Sequence, residues 1–252
     1  MKKNMDLKID IIILTKNEED VLEKAIHSVK GWAESIFIID DFSTDKTYEI
    51  AKKNHVQFFT NKFVDFSQQR NFGIKKAKSD WVMYLDADER LTGDFKKELE
   101  IRISENKYLG FEIKRKTYYF GHDWGFEDKV TRVFRLDKFK KWQGVVHESA
   151  SLNGEVGVIE SPIEHFTHRN LSQMITKTNS WSDYEAKLRF DASHPKMQMW
   201  RFIRVMVSEF FRSYIKEKGY KNGTYGLIES IYQSYSIFIT YAKLWEMQNT
   251  KR

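Results

Sequence analysis

The stretch Trp81-Val82-Met83-Tyr84-Leu85-Asp86-Ala87-Asp88 decides the fold, because an apolar run of strand length ends directly in two acidic residues. Such a run predicts a strand that is buried on both faces. Side chains two positions apart on an extended backbone point the same way, so Asp86 and Asp88 can leave the strand together. Ligands of open α/β sheets bind at the carboxyl ends of strands. The stretch therefore predicts a site for Mg²⁺ or Mn²⁺ with Asp86 and Asp88 as ligands, the alternative being a solvated turn.

Upstream of this stretch, short apolar runs alternate with segments of helical spacing. The runs cover residues 9–15, 35–40 and 56–60, and the helical segments cover residues 20–30, 44–54 and 66–77. Alternation of this kind predicts an α/β fold, a mainly parallel sheet flanked by helices. Downstream, the aromatic and charged stretch 108–135 alternates with a rough period of two, which predicts further strands added to the sheet.

Polar side chains that suit a nucleotide follow the first two predicted strands. Thr15, Asn17 and Glu18 come after the first strand, where the backbone would form the floor of a nucleotide pocket. Asp40 and Asp41 come after the second, and a carboxylate there can accept from a nucleobase N–H or a ribose hydroxyl. Either of the two aspartates could fill that role.

Arg70 stands in the stretch Gln68-Gln69-Arg70-Asn71, on the helix that precedes the Asp86-Ala87-Asp88 strand. Its planar guanidinium could bind two phosphate oxygens at once, so Arg70 is a candidate for binding the phosphates of a nucleotide. The alternative is an ordinary surface arginine.

Taken in order, these four elements resemble the inverting glycosyltransferases of family 2, which have the GT-A fold. The matching segments are Ile11–Glu19, Asp40–Thr47, Gln69–Asn71 and Trp81–Asp88. Two sequence motifs, L-D-A-D-E-R at residues 85–90 and Q-G-V-V-H-E at residues 143–148, narrow the resemblance to the bacterial lipopolysaccharide-core β-1,4-glucosyltransferase branch. That branch often has Asp-Ser where this chain has Asp40-Asp41. The resemblance covers most of the chain.

The resemblance implies a metal-dependent single displacement on a nucleotide-sugar. A hexose such as glucose would pass from a nucleoside diphosphate donor, a UDP-sugar being expected, to a membrane-linked glycan in lipopolysaccharide or cell-surface polysaccharide synthesis. Two alternatives are a sugar nucleotidyltransferase and a non-enzymatic peripheral membrane adaptor. The first would need a glycine-rich phosphate loop near the N-terminus, and residues 14–20 contain no glycine.

Two further candidates lie in the second half of the chain. Glu148 follows a short apolar run beside His147 and is predicted to be the general base that takes the proton of the acceptor hydroxyl, the alternative being a salt-bridged surface glutamate. His165 and His168 flank Phe166-Thr167, and an imidazole is a reasonable third metal ligand. His165 is the preferred one.

The composition excludes several classes of protein and locates the net charge. The chain has 252 residues and no cysteine, which excludes disulfide scaffolds, cysteine zinc sites and thiol catalysis. The whole net charge of +6 falls in residues 195–252, which hold ten basic and four acidic residues. We therefore predict a catalytic domain at 1–194 and a basic, aromatic helical appendage at 195–252.

Helical spacing in the appendage sorts basic residues to one side and large apolar residues to another, a pattern typical of an interfacial helix on an anionic membrane. Packing on the catalytic domain or a homo-oligomer interface is the alternative. No charge-free stretch in it reaches the roughly 20 residues needed to span a bilayer. We predict a cytoplasmic protein, peripheral at the inner face of the cytoplasmic membrane, without a nucleic-acid partner since no nucleic-acid motif is present.

Overall fold

The structure is a computed structural model that describes residues 7–144 and 148–250. Strands and helices alternate along the first part of the chain, as the apolar runs predict. The elements are β1 (Ile9–Thr15), α1 (Leu22–Val29), β2 (Ser35–Asp40), α2 (Thr47–Lys53), β3 (Gln57–Thr60), α3 (Phe66–Ile74), β4 (Trp81–Asp86), β5 (Glu89–Arg90) and α4 (Gly93–Ser104).

Strands dominate the middle of the chain and helices its end. The strands are β6 (Gly110–Tyr119), β7 (His122–Arg135), β8 (Phe139–Gln143), β9 (Ser149–Leu152) and β10 (Val156–Thr167). The helices are α5 (Leu171–Asp191), α6 (Met199–Phe211) and α7 (Gly223–Asn249), with a π-helical turn at 212–216 and a 3₁₀ turn at 219–222 between the last two. The predicted strands at 108–135 are confirmed as β6 and β7.

One sheet of eight strands has the order β3-β2-β1-β4-β7-β6-β10-β5, and β8 pairs with β9 in a small separate sheet. Strands β3, β2, β1 and β4 are parallel to one another, whereas β7 runs antiparallel to β4. The carboxyl ends of the four parallel strands therefore share one edge of the sheet. This confirms the predicted α/β class.

The parallel strands are apolar throughout because both faces of the sheet are covered. The two-residue period sends Ile11 and Ile13 into one buried cluster with helix α1, and Ile12 into another with Tyr84 and Trp142. Helix α3 lies on the Ile12 side. The double-sided core holds the strand ends in fixed register.

The chain divides into two compact units by its internal contacts. The first comprises residues 1–116 and 127–165, and the second comprises residues 117–126 and 166–252. In the second unit, α7 packs against both α5 and α6. The boundary predicted between residues 194 and 195, which would separate a catalytic domain from a helical appendage, stays a prediction.

Within residues 7–144 and 148–250, no helix has both the length and the apolar character that crossing a membrane requires.

Glycine at position 73 sets how closely α3 lies on the sheet, and this leads to a stability prediction. A Cβ there would stand 2.9 Å from Cγ2 of Ile12 and 3.1 Å from Cγ1 of Ile39. We expect Gly73→Ala to lower the free energy of unfolding by about 1–3 kcal/mol, because overpacking outweighs the helix propensity of alanine. Gly93→Ala is the matched control, since its Cβ would meet nothing within 4 Å. Urea unfolding measures both, and equal stability of the two variants would contradict this packing argument.

Candidate active site

The loops that follow β1 and β2 are tied to each other at the carboxyl edge of the sheet. The Thr15 hydroxyl donates to Asp40 at 2.8 Å, and Asp40 also accepts from the amide and hydroxyl of Ser43 at 2.7 and 2.6 Å. Asp40 is almost completely buried. Its carboxylate therefore shapes the loop from within.

Asp41 differs from its neighbour because its carboxylate reaches the surface. Its side chain is 25% exposed, it accepts from the Phe63 amide at 3.0 Å, and it forms an ion pair with Lys16 at 3.5 Å. Of the two aspartates predicted to read a nucleobase, Asp41 is the one that a ligand in solvent can reach.

Asn17 and Glu18 complete the connection between the loops. The Asn17 amide donates to Ser43 Oγ at 2.7 Å, and its side-chain oxygen accepts from the Thr44 amide at 2.8 Å. The Glu18 amide donates to the Thr47 hydroxyl at 3.0 Å. These bonds give both loops a single defined path at the end of the parallel strands.

The turn after β4 is braced by the two residues that follow the Asp86-Ala87-Asp88 motif. Glu89 is fully buried and accepts from the Asp86 amide at 2.9 Å, while Arg115 holds it from the other side at 3.2 Å. Burial raises the pKa of Glu89, and the nearby Asp86 carboxylate raises it further. Arg90 donates to the Ala87 carbonyl at 2.8 Å. No role for Glu89 or Arg90 was predicted from the sequence. The signal that could have pointed to them is their position directly after Asp88.

Asp86 lies between two buried arginines. Arg70 Nη2 is 3.3 Å from one carboxylate oxygen, and Arg132 Nη2 is 3.1 Å from the other. Burial opposes ionisation of Asp86, but Arg132 and Arg70 outweigh it and hold the pKa of that carboxyl well below its ordinary value. Asp86 is thus ionised and engaged by protein cations at neutral pH.

Arg70 joins this motif to Glu148. Its side chain is only 2% exposed, and Nε donates to Glu148 Oε1 at 2.8 Å. The guanidinium carbon of Arg70 also lies over the rings of Tyr84 and Trp142, 5.1 Å from the centroid of each ring. Arg70 was predicted to bind phosphate, and the structure shows it paired with two carboxylates.

The rest of the Gln69-Arg70-Asn71 motif positions the segment before Glu148. Asn71 exchanges two hydrogen bonds of 3.0 Å with the backbone of Trp142 in β8. Ser67 on the same helix donates to the Gly144 carbonyl. Residues 145–147, part of the Q-G-V-V-H-E motif, lie outside the described residues.

Arg132, on β7, was not anticipated from the sequence, because it is one of many charged residues in an alternating strand. It is buried, and its Nη1 is 3.7 Å from Glu148 Oε1. Burial and the neighbouring Arg70 lower the pKa of Arg132. Among the described residues, Arg70 Nη1 and Arg132 Nε and Nη1 are buried without a hydrogen-bond partner. Buried donors without a partner are uncommon in folded proteins, so these N–H groups are open to a hydrogen bond with water or a ligand.

Asp88 and His165 form a second pair beside the motif. His165 Nε2 is 3.7 Å from Asp88 Oδ2, because β10 pairs with β5 at this point. Burial lowers the pKa of His165, but Asp88 outweighs it and the net shift is upward. His168 lies in the second unit, where Nδ1 is 2.9 Å from Glu229. Of the two histidines, His165 is the one next to the predicted metal ligands.

This donor set suits a metal that relies on its substrate for further ligands. No three acidic or histidine side chains of the described chain are grouped closely enough to hold a metal ion. Mg²⁺ is ordinarily bound by one or two protein carboxylates together with substrate phosphates and water. The Asp88 carboxylate and the His165 imidazole, 3.7 Å apart, fit that chemistry, whereas the three predicted ligands Asp86, Asp88 and His165 are not grouped closely enough to hold a metal without its substrate.

A parallel half-sheet with polar loops at its carboxyl edge and an Asp-x-Asp turn after its fourth strand is the arrangement predicted for the GT-A fold. The family model described as Glycosyl transferase family 2 matches residues 10–153, more than half of the chain. The chain therefore belongs to glycosyl transferase family 2 and is a glycosyltransferase. The resemblance drawn from its motifs is confirmed.

Two glycosyltransferases of other bacteria are similar to this protein over nearly the whole chain. An uncharacterized glycosyltransferase of Rickettsia conorii is 26% identical, covering 98% of this chain and 93% of the relative. The lipopolysaccharide core biosynthesis glycosyltransferase LpsC of Rhizobium meliloti is also 26% identical, covering 97% and 94%. Among solved structures, S. aureus TarS 1–349 in complex with UDP-GlcNAc is 12% identical with a TM-score of 0.48, covering 96% of this chain and 91% of that one.

The buried arginine leads to a prediction about stability and pH. Arg70→Met should lower the free energy of unfolding by about 1.5–3 kcal/mol at pH 7, because it removes one of the two arginines that pair with Asp86 and Glu148. A carboxyl with a depressed pKa stabilises the fold above its ordinary value of 3.8 and loses this effect as the pH falls below it. The deficit of Arg70→Met should therefore narrow below about pH 3.8.

Lys97→Met is the control for this prediction, since Lys97 and Asp94 form an exposed ion pair at 3.8 Å. It should change the free energy of unfolding by less than about 1 kcal/mol at any pH. Denaturant titrations between pH 3 and pH 7 measure both variants. A deficit for Arg70→Met that does not vary with pH would contradict the role given to the carboxylates.

Proposed function

We propose that this glycosyltransferase moves a hexose such as glucose from a UDP-sugar to a membrane-linked glycan, in lipopolysaccharide or other cell-surface polysaccharide synthesis. The observation that carries the proposal is the link made by Arg70, which holds Glu148 at 2.8 Å and Asp86 at 3.3 Å. A base for the acceptor and the motif that serves the donor are thereby brought to one place. The name of the Rhizobium meliloti relative supports this class of acceptor.

The donor is assigned to the carboxyl edge of β1, β2 and β4. Asp41 accepts from the nucleobase, and the loop that contains Thr15, Asn17 and Glu18 lies under the nucleotide. Asp88 and His165 would hold Mg²⁺ or Mn²⁺, which neutralises charge on the departing diphosphate when bound. Arg70 and Arg132 have buried N–H groups without a hydrogen-bond partner in the described fold, and these would donate hydrogen bonds to the same leaving group.

Glu148 is assigned as the general base of an inverting displacement. The acceptor hydroxyl attacks the anomeric carbon, the bond from that carbon to the diphosphate oxygen breaks, and Glu148 takes the hydroxyl proton. The hydrogen bond from Arg70 Nε fixes one oxygen of Glu148 and leaves the other to face the hydroxyl. Arg70 is therefore a positioning residue for the base.

These assignments predict separable effects of two substitutions. Glu148→Gln should lower the rate of sugar transfer at least about a hundredfold while UDP binding is kept, because the glutamine oxygen can still accept from Arg70 Nε but cannot take the hydroxyl proton. Asp88→Asn should weaken UDP binding in the presence of Mn²⁺. Release of nucleotide from a panel of UDP-sugars measures transfer, and calorimetry with UDP measures binding.

Glu105→Gln is the control for both, since Glu105 lies at the exposed end of α4 and its ion pair in the described fold is with Arg102. It should leave rate and affinity unchanged. Folded wild-type protein that releases no nucleotide from any donor, with or without acceptor, would overturn the proposed function.

Access to a membrane-linked acceptor is assigned to an exposed face of α6, which we call the α6 stripe. Its residues recur every four positions, so they form one ridge: Met199, Ile203, Val207 and Phe211. Met199 is 80% exposed and Ile203 is 58% exposed. The opposite face carries Phe202, which packs on Phe238 of α7 at 5.8 Å. The stripe is thus apolar surface that the described fold leaves in solvent.

Positive charge lies beside the α6 stripe. Arg201 and Arg204 both stand over the Trp200 ring, at 4.7 and 5.6 Å from its centroid. An apolar ridge with tryptophan and arginine beside it is typical of a helix that binds the interface of an anionic bilayer. Arg212, which follows α6, is paired with Glu209 and Glu217.

The stripe leads to a prediction about membrane binding. The double variant Ile203→Asp, Val207→Asp should reduce flotation with phosphatidylglycerol vesicles several-fold. Its carboxylates would replace apolar side chains that enter the bilayer interface. Leu171→Asp with Ile175→Asp is the matched control, since these residues of α5 have the same spacing and similar exposure. It should float like the wild type. Flotation of both double variants to the same extent would reject the α6 stripe as the contact.

A further inference from the structure

Phe42 is an exposed aromatic residue in a backbone conformation that disfavours it. Its φ is +49°, in the left-handed region, and 56% of its surface is exposed. A bulky side chain in that region is a genuine outlier, whereas glycine adopts it without strain. Its exposed surface shows that burial in the core does not compensate for this strain.

Hydrogen bonds on both sides impose this conformation. Asp40 holds the Ser43 amide and hydroxyl, and Asn17 holds Ser43 and Thr44. Lys16 Nζ donates to the Phe42 carbonyl at 3.1 Å. These hydrogen bonds therefore set the backbone conformation of the loop. Glycine would adopt that conformation at position 42 with less strain than phenylalanine.

The ring lies where the nucleotide is proposed to bind. Phe42 directly follows Asp41, whose carboxylate reaches the surface at the carboxyl edge of the parallel strands. No ring of the described chain is in aromatic contact with it, whereas Tyr48, also exposed, packs on Phe58 at 5.1 Å. A flat apolar face next to a hydrogen-bond acceptor matches a heteroaromatic base, which offers a π-face and an N–H group.

We propose that Phe42 stacks on the nucleobase of the donor and, together with Asp41, sets the affinity for the base. This inference rests on the proposed function and names one more residue of the same donor site. The free-energy cost of the left-handed backbone at Phe42 is then offset only in the nucleotide complex, because there the base covers the exposed ring. Base stacking on aromatic side chains makes a substantial and sequence-tolerant contribution in other nucleotide sites.

The test compares two glycine substitutions that relieve the same kind of strain. Phe42→Gly should keep or raise the melting temperature, yet weaken UDP binding at least about tenfold. His55→Gly is the matched control, because His55 is also exposed and left-handed, with φ +58°, but precedes β3 at the opposite edge of the sheet. It should keep or raise the melting temperature and leave UDP affinity unchanged.

Inorganic pyrophosphate with Mn²⁺ separates stacking from general damage to the site. Calorimetry should show that Phe42→Gly binds pyrophosphate like the wild type, since pyrophosphate has no base, and that Phe42→Tyr restores UDP binding. Equal UDP affinity of Phe42→Gly and wild type would overturn this inference and leave the proposed function intact. An equal loss for UDP and pyrophosphate would also overturn it. Wild-type protein that binds neither would overturn the proposed function as well.

Discussion

A single buried guanidinium organises the site. Arg70 lies on α3 yet pairs with Asp86 at the end of β4 and with Glu148 far along the chain. A buried cation without carboxylates would be strongly unfavourable, and so would the carboxylates without it. The position of each group therefore depends on the others, and the fold of the first unit brings all three together. Removing water from these groups is compensated only in this arrangement.

The same constraint extends to the turn after β4 and to the chain before Glu148. Glu89, held by Arg115, accepts the Asp86 amide, so the Asp-x-Asp turn has a second carboxylate beneath it. Asn71 fixes the backbone of Trp142, so the helix that carries Arg70 also places the strand that leads to Glu148. One short motif on α3 thus contacts both the Asp-x-Asp turn and the strand that leads to Glu148. Arg70 and Arg132 also keep buried N–H groups that have no hydrogen-bond partner among the described residues.

Much of the fold could be predicted from the sequence because its strands are buried on both faces. An uninterrupted run such as Trp81–Leu85 is compatible with few environments other than the centre of a covered sheet. The motifs at the strand ends were recognisable for a related reason, since chemistry at the carboxyl edge needs particular residues at fixed offsets from the strand. The roles of individual residues were harder to predict. Arg70 carries the geometry of a phosphate ligand, and only its burial beside Glu148 and Asp86 shows that carboxylates engage it.

The sequence by itself determined the α/β class, the family, and the positions of the motifs that carry the chemistry, because local periodicity and spacing are written in neighbouring residues. The tertiary structure decided which partners those residues meet. It separated Asp41 from Asp40 by exposure and His165 from His168 by neighbourhood, and it brought Arg132 into the site. These outcomes depend on contacts between residues up to 78 positions apart, as for Arg70 and Glu148. No local pattern encodes the distance between such residues, so their pairing follows only from the way the sheet is assembled.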